Sequence, residues 1–184
     1  MKLIMVDLDG TLFDTKDVNF SAYQEAVSLF GYSIEYDYFC KYCNGKHYLD
    51  FLPLITTDDK IILSQIHKRK KEAYSKYLHK AIKNEQLLDI LQISKTKYKI
   101  ALVTTASKKN TYELLDFFNI ASMFDLILTH DDIEKTKPDP EGFFKAMQYF
   151  NAKPSECLIF EDSDVGVKAA SETGASVFVV KGYS

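Results

Sequence analysis

Short apolar segments alternate with amphipathic segments along this 184-residue chain, and this alternation is the strongest constraint on its fold. Apolar runs bounded by turn-forming residues predict buried strands over residues 3–6, 98–104, 124–129, 157–160 and 175–180. Apolar residues at helical spacing predict helices over residues 18–29, 109–118, 140–150 and 165–173. Repeated strand–helix alternation is typical of an α/β fold with a doubly wound, mostly parallel sheet.

The segment between the first two strands has a different character, because it contains no convincing strand. Gly31 ends its first helix, and Thr57-Asp58-Asp59 opens a long charged helix that we expect to continue through Ile82. We therefore predict an α/β core domain formed by residues 1–14 and 83–184, with a small inserted helical domain over residues 15–82.

Polar side chains follow four of the predicted strands. They are Asp7 and Asp9 after the first strand, Thr104 and Thr105 after the second, Lys135 and Lys137 after the third, and Glu161 and Asp162 after the fourth. Since the carboxyl ends of parallel strands meet at one edge of a sheet, where open α/β sheets bind ligands, these groups are expected to converge.

This set of groups favours phosphoryl transfer, because it holds carboxylates, a hydroxyl and an ammonium but no partnered histidine or cysteine nucleophile. Two close carboxylates repel each other unless a cation or a shared proton intervenes, and carboxylate oxygens suit Mg²⁺. Asp7 can attack phosphorus and form an aspartyl-phosphate. Asp9 can protonate the leaving oxygen and then activate water. Mg²⁺ and Lys137 would offset the repulsion between Asp7 and a phosphate, about 1–4 kcal/mol per charge pair at ~4 Å.

Four motifs in the sequence resemble those of the haloacid dehalogenase-like hydrolase superfamily. In order, they are Asp7-Leu8-Asp9-Gly10-Thr11, Val103-Thr104, Lys137-Pro138-Asp139-Pro140 and Glu161-Asp162-Ser163. Each follows an apolar run, and together they span nearly the whole chain. Phe13-Asp14-Thr15 and Gly166-Val167-Lys168-Ala169-Ala170 are similar to the subfamily of β-phosphoglucomutase-like proteins and small-metabolite phosphatases. That subfamily inserts a helical cap after its first strand, as predicted here for residues 15–82.

The resemblance implies a magnesium-dependent phosphatase that acts on a small phosphorylated metabolite. By position, the implied residues are catalytic Asp7 and Asp9; phosphate-binding Thr104, Thr105 and Lys137; and metal-binding Asp7, Asp9, Glu161 and Asp162. Asp9 would contact the metal through its backbone carbonyl, and Glu161 directly or through water. The family places its lysine immediately before a proline, which favours Lys137 over Lys135.

One departure from the family pattern bears on the reaction. The mutases carry a histidine in the first cap helix, and that position here holds Asn19, which favours hydrolysis over phosphomutase activity. Asn19, Lys46 and His47 are the candidate specificity residues of the cap. A phosphomutase of the β-phosphoglucomutase type, or a phosphate-binding member without catalysis, remains as an alternative.

Charge and cysteine content limit the partners and the compartment. The net charge of −3 gives no global basic excess, so we expect no nucleic-acid partner and interpret the basic run over residues 67–71 as a solvated helix face. No apolar run reaches the ~18 residues of a membrane span, and we expect no removable signal peptide, because its removal would destroy the first strand. Cys40 and Cys43 form a C-x-x-C pair without the second pair of a zinc ribbon. With Cys157 the chain has three cysteines, and this odd count without a disulfide-like framework favours a reducing compartment. We expect a cytoplasmic protein that is a monomer or a weak homodimer.

Overall fold

The computed structural model describes residues 1–181, which form two compact units. One unit comprises residues 1–14 and the chain from Ile82 onward, and the other comprises residues 15–81. The predicted core domain extends to residue 184, and its last three residues lie outside the described residues.

The regular elements of the described residues are numbered along the chain. The strands are β1 (Leu3–Val6), β2 (Phe13–Asp14), β3 (Ile82–Lys83), β4 (Lys99–Val103), β5 (Leu126–Leu128), β6 (Cys157–Glu161) and β7 (Ser176–Val179). The α-helices are α1 (Lys16–Ser28), α2 (Tyr36–Tyr38), α3 (Tyr48–Ile55), α4 (Lys60–Ala73), α5 (Glu85–Ser94), α6 (Lys108–Phe117), α7 (Glu141–Tyr149) and α8 (Asp164–Glu172).

The first unit is built on a five-stranded parallel sheet with the strand order β5-β4-β1-β6-β7. β1 lies at its centre, where Val6 pairs with Leu102 of β4 and with Phe160 of β6. All four residues of β1 are buried, as expected for a central strand covered on both faces. The predicted α/β fold class with a doubly wound parallel sheet is confirmed.

Alternation along β1 places its side chains on two faces of the sheet. Leu3 and Met5 belong to a buried cluster with Phe143 and Met147 of α7 and with Ala169 of α8. Ala169 and Ala170 of α8 are both fully buried in this cluster, so α8 packs against this face of the sheet. This packing fixes the beginning of α8 beside the carboxyl end of β6.

A second, two-stranded antiparallel sheet lies where the chain leaves and re-enters the first unit. Phe13 of β2 pairs with Lys83 of β3, and Asp14 pairs with Ile82. The predicted continuation of a helix through Ile82 is therefore wrong, because Ile82 belongs to a strand.

The second unit is helical, with a core that contains Tyr23, Phe39, Phe51, Leu63 and Ile66. A five-residue π-helix (Phe39–Cys43) follows α2, and a 3-10 helix (Tyr74–Lys80) follows α4. None of the helices in the described part of the chain combines the length and apolar composition that a membrane-spanning helix needs.

The long helix predicted after Thr57 divides into two segments. Asp59 caps α4 by accepting hydrogen bonds from the N–H groups of Ile61 and Ile62 at 2.8 and 3.3 Å. After Ala73 the chain tightens into the 3-10 helix, where Tyr77 donates to Glu25 and Lys80 donates to Ser21 of α1, both at 2.8 Å. These long-range contacts determine the local conformation, which the charge pattern of the segment does not reveal.

Candidate active site

The carboxyl edge of the sheet brings together residues that are far apart in the sequence. Asp7 follows β1, Thr104 follows β4, and Glu161 is the last residue of β6. Lys137 lies in the segment between β5 and α7, 130 residues from Asp7. Because β1, β4 and β6 are parallel neighbours, their carboxyl ends meet, as the strand pattern predicted.

Lys137 joins two carboxylates at the centre of this edge. Its Nζ lies 2.5 Å from Oδ1 of Asp7 and 2.6 Å from Oε1 of Glu161, and it donates to the carbonyl oxygen of Val103 at 3.1 Å. The side chains of Lys137, Asp7 and Glu161 are only 8%, 9% and 1% exposed. The geometry thus distinguishes Lys137 from Lys135, which lies in the same segment but is exposed.

The other oxygen of Glu161 is held by the residues that follow it. Oε2 accepts hydrogen bonds from the backbone N–H groups of Asp162 and Ser163 at 2.8 and 3.0 Å and from the Ser163 hydroxyl at 3.1 Å. The Ser163 hydroxyl also accepts from the N–H of Gly166 at 3.1 Å, so it caps α8. Both oxygens of Glu161 are therefore engaged, Oε1 by the ammonium of Lys137 and Oε2 by the residues that follow.

Asp162 is held by the turn that follows β1. Its Oδ1 accepts a hydrogen bond from the hydroxyl of Thr11 at 2.6 Å. Gly10 has a φ of +90°, and a Cβ built on it would lie 2.1 Å from Oδ2 of Asp162. Only glycine leaves room for this carboxylate while adopting the left-handed turn.

The charges in this cluster do not balance. Burial raises the pKa of Asp7 well above its ordinary range; the Lys137 ammonium opposes this shift, and the Glu161 carboxyl adds to it. Burial also disfavours the charged form of Lys137, but Asp7 and Glu161 outweigh that penalty, and the pKa of Lys137 is raised. Burial raises the pKa of Asp162 as well. One ammonium therefore serves three carboxyl groups, and additional positive charge is favoured here.

The three carboxyl groups also have the spacing of a metal site. Asp7, Glu161 and Asp162 each offer one oxygen, and these oxygens lie within 4.8 Å of one another. Oxygen donors of this kind fit a hard divalent cation such as Mg²⁺, which binds one or two carboxylates and keeps several waters.

The remaining predicted phosphate-site residues lie around this centre in different ways. Thr104 is 2% exposed, and its Oγ1 accepts from the N–H of Ala106 at 3.0 Å, which shapes the turn before α6. Thr105 is exposed on that turn. Asp9 is half-buried two residues after Asp7, in the turn that leads to β2, and its charge adds to the raised pKa of Asp7.

The three predicted specificity residues belong to the helical unit. Asn19 lies on α1 and donates from Nδ2 to the hydroxyl of Thr15 at 3.2 Å. His47 caps α3, because its Nδ1 accepts from the N–H of Leu49 at 3.4 Å. Lys46 is exposed in the preceding turn. Their part in specificity stays a prediction.

Gly166 offers a direct test of how tightly Glu161 is held. A Cβ at this position of α8 would lie 1.8 Å from Oε1 of Glu161. Replacing glycine by alanine inside a helix ordinarily stabilises a protein by about 0.5–1 kcal/mol. We expect Gly166→Ala instead to lower the free energy of unfolding by about 1–3 kcal/mol, since Glu161 must move.

Urea denaturation measures this change, with Ser171→Ala on the exposed face of the same helix as the control. The control should match or slightly exceed the wild type, because alanine has the higher helix propensity. Equal stability of the two variants would show that Glu161 has space to shift.

Comparison with known proteins identifies the family. The model of the haloacid dehalogenase-like hydrolase family matches residues 4–180. The chain belongs to the haloacid dehalogenase-like hydrolase family. The predicted resemblance is therefore confirmed, and so is the prediction of a hydrolase.

Relatives of this family member carry more specific names. The chain is 28% identical to a phosphorylated carbohydrates phosphatase of Thermotoga maritima, over 95% of this chain and 82% of that protein. It is also 28% identical to the pyrophosphatase PpaX of Bacillus cereus, over 97% of this chain and 84% of that protein. Its fold matches the crystal structure of CbbY from Rhodobacter sphaeroides with a TM-score of 0.86 and 21% identity, covering 100% of this chain and 87% of that one.

Two contacts of this hydrolase were not predicted from its sequence. The hydroxyl of Thr11 binds Asp162, and Ser163 binds Glu161 while capping α8. Thr11 and Ser163 belong to the first and last of the four sequence motifs, so the sequence places both hydroxyls near the ends of strands. It does not identify their hydrogen-bond partners, because a hydroxyl near a strand end fits a cap or a turn equally well.

Proposed function

We propose that this hydrolase is a Mg²⁺-dependent phosphatase that hydrolyses a small phosphorylated metabolite through an aspartyl-phosphate on Asp7. The main support is the cluster in which Lys137 bridges the buried residues Asp7 and Glu161. Oxygens of Asp7, Glu161 and Asp162 also lie close enough together to share one metal ion. A relative that is named a phosphatase matches almost the whole chain, which supports the reaction class.

In the first half of the proposed reaction, a carboxylate oxygen of Asp7 attacks phosphorus. The bond between phosphorus and the leaving oxygen breaks, and a bond between Asp7 and phosphorus forms. Asp9 gives its proton to the leaving oxygen, so the alcohol departs neutral. Lys137 and Thr104 bind the phosphoryl oxygens, where negative charge is spread in the transition state.

In the second half, water hydrolyses the aspartyl-phosphate. Asp9, now ionised, takes a proton from the water as its oxygen attacks phosphorus. The bond to Asp7 breaks, inorganic phosphate leaves, and the carboxylate of Asp7 is regenerated. Asp9 ends the cycle protonated and ready for the next substrate.

Asp7 and Asp162 are the proposed side-chain ligands of the metal, with the backbone carbonyl of Asp9 as a further ligand. Glu161 would support the site directly or through water; its Oε1 accepts from Lys137 and its Oε2 from the N–H of Asp162. When bound, Mg²⁺ supplies positive charge that offsets the repulsion between Asp7 and the phosphoryl group.

Metal binding should be visible without any assay of activity. We expect Mg²⁺ to raise the thermal unfolding midpoint, because it relieves the charge imbalance in the folded state. At a hundredfold excess over the dissociation constant the stabilisation is about 2.7 kcal/mol. Calorimetry with EDTA and then with added Mg²⁺ measures the shift, and EDTA should also abolish turnover reversibly.

Asp162→Asn should lose most of this Mg²⁺-dependent stabilisation. Asp116→Asn removes the same charge from an exposed site on α6 and should keep the full shift. A full shift in Asp162→Asn would exclude Asp162 as a ligand.

A panel of phosphorylated metabolites, assayed with Mg²⁺ and with Asp7→Asn as the blank, tests the function directly. Sugar phosphates form the first arm, because the Thermotoga maritima relative is named for phosphorylated carbohydrates. Faster bisphosphate-dependent isomerisation of a hexose phosphate than hydrolysis would favour a phosphomutase. Binding without turnover across the panel would contradict both reactions.

A further inference from the structure

A basic hollow lies at the amino-terminal ends of the central strands, whereas Asp7 lies at their carboxyl ends. It has a volume of about 410 Å³ and is lined by residues 1 and 2, residues 95–99 and Phe150. Lys2 immediately precedes β1, Lys99 begins β4, and the N–H of Lys99 donates to the carbonyl oxygen of Lys2 at 3.0 Å. The hollow therefore occupies the amino ends of the two strands whose carboxyl ends lead to Asp7 and Thr104.

Four lysines in the lining carry more charge than the acids beside them. Lys2 lies 3.1 Å from Glu156, and Lys99 lies 2.8 Å from Asp125; both lysine side chains are 58% exposed. Exposed ion pairs contribute only about 0–1 kcal/mol, so an incoming anion can compete for these lysines. The Nζ of Lys95 donates to the carbonyl oxygen of Ser122. Among residues 1–181, no ion pair engages Lys97.

The C-terminal ends of two helices neutralise only part of this positive charge. α5 ends at Ser94, directly before the lysine-rich turn, and Phe150 is the C-terminal cap of α7. Each helix C-terminus carries roughly half a negative charge, so two of them offset about one lysine. Glu156 and Asp125 offset two more. A surplus of about one positive charge remains. An anionic ligand can also displace the carboxylates from the exposed ion pairs, which raises the positive charge available to it.

The size and the aromatic lining of the hollow indicate a small multivalent anion. A volume of 410 Å³ falls within the usual range of small-molecule sites. Lysines are flexible point charges that bind phosphate groups, and four of them in one hollow can contact several phosphoryl groups at once. Tyr98 and Phe150 are half-buried and offer apolar surface beside the charges. We propose that this hollow binds a polyphosphate chain, either free or as part of a nucleoside triphosphate. This proposal is independent of the proposed function.

Isothermal titration of the full chain in the presence of EDTA tests the proposal, with inorganic tripolyphosphate, ATP and adenosine as probes. The variants are Lys97→Gln and, as a control of equal charge, Lys168→Gln on the exposed part of α8. Lys97→Gln should weaken tripolyphosphate binding about fivefold to tenfold, the loss of one charged contact. Lys168→Gln should change it less than about twofold. Hydrolysis of p-nitrophenyl phosphate by Lys97→Gln should equal that of the wild type.

The two phosphate probes distinguish the ligand sources. Equal affinity for tripolyphosphate and ATP supports recognition of the chain alone, and tighter ATP binding supports a base against Tyr98 and Phe150. No saturable binding up to roughly 5 mM of either probe would overturn the proposal. So would equal losses in the two variants, an unchanged affinity in Lys97→Gln, or adenosine binding as tightly as ATP.

Discussion

Asp7→Asn is expected to reduce turnover of p-nitrophenyl phosphate by about four orders of magnitude or more. An amide cannot supply the negatively charged oxygen that attacks phosphorus, so the aspartyl-phosphate does not form. A ten-thousandfold loss corresponds to about 5.4 kcal/mol of transition-state stabilisation. Steady-state assays with Mg²⁺ at saturating substrate measure this loss.

The same variant should fold as well as the wild type. Asp7 is buried, and its carboxylate shares one lysine with Glu161, so the neutral amide removes a desolvation penalty and leaves the pair of Lys137 and Glu161 intact. The free energy of unfolding should therefore be unchanged or higher. Activity within tenfold of the wild type would remove Asp7 from the nucleophilic role, whereas joint loss of activity and stability would point to misfolding instead.

Lys137→Met is expected to give the largest loss of stability, about 3–5 kcal/mol. The substitution keeps an unbranched side chain, one atom shorter than that of lysine, but leaves Asp7 and Glu161 facing each other without their shared cation. Turnover should fall by about a thousandfold, because a charge on the phosphoryl oxygens is lost. Urea denaturation and phosphatase assays measure the two effects.

The stability loss in Lys137→Met should depend on pH. A carboxyl whose pKa is higher in the folded than in the unfolded state favours the folded state at low pH, and this advantage is lost as the pH rises through the folded value. Burial raises the pKa of Asp7 in this way, and removing Lys137 removes the main opposing influence. The wild type gains this advantage over the variant only as the pH rises through the folded pKa of Asp7, about 8, so the difference between variant and wild type should be larger at pH 9 than at pH 6.

Two further variants identify the cause. Lys135→Met removes an exposed lysine from the same segment and should change stability by less than about 0.5 kcal/mol. Lys137→Met combined with Glu161→Gln should recover part of the lost stability but none of the activity, since one buried charge is removed. An unchanged stability in Lys137→Met would contradict the ion bridge.

The sequence predicts the position of the chemical groups better than their contacts. Asp7, Thr104 and Glu161 each follow an apolar run, and parallel pairing of those runs is enough to bring them to one edge. The bridge from Lys137 to two carboxylates depends on the path of the segment after β5, which has no periodic pattern. The absence of periodicity predicts that this segment is a loop, but it does not predict the direction in which the side chains of the loop point.

Elements that depend on distant partners were the least predictable. β2 and β3 have two residues each, which is too short to show an alternation of apolar and polar residues. They form strands because they pair with each other. α5 was not predicted, although Asn84 caps it by accepting from the N–H of Leu87 at 3.1 Å. The 3-10 helix after α4 is set by contacts to α1 that are 52 and 59 residues away in the sequence.

The pairing of β2 with β3 also makes the intervening segment exchangeable. Residues 15–81 begin and end at neighbouring positions, because Asp14 lies directly opposite Ile82, where antiparallel partners are about 5 Å apart. A different segment with equally close ends can be joined there without altering the spacing of β1, β4 and β6. Evolution can thus replace residues 15–81 by exchanging one contiguous stretch of gene while Asp7, Thr104 and Glu161 keep their places at the ends of these strands.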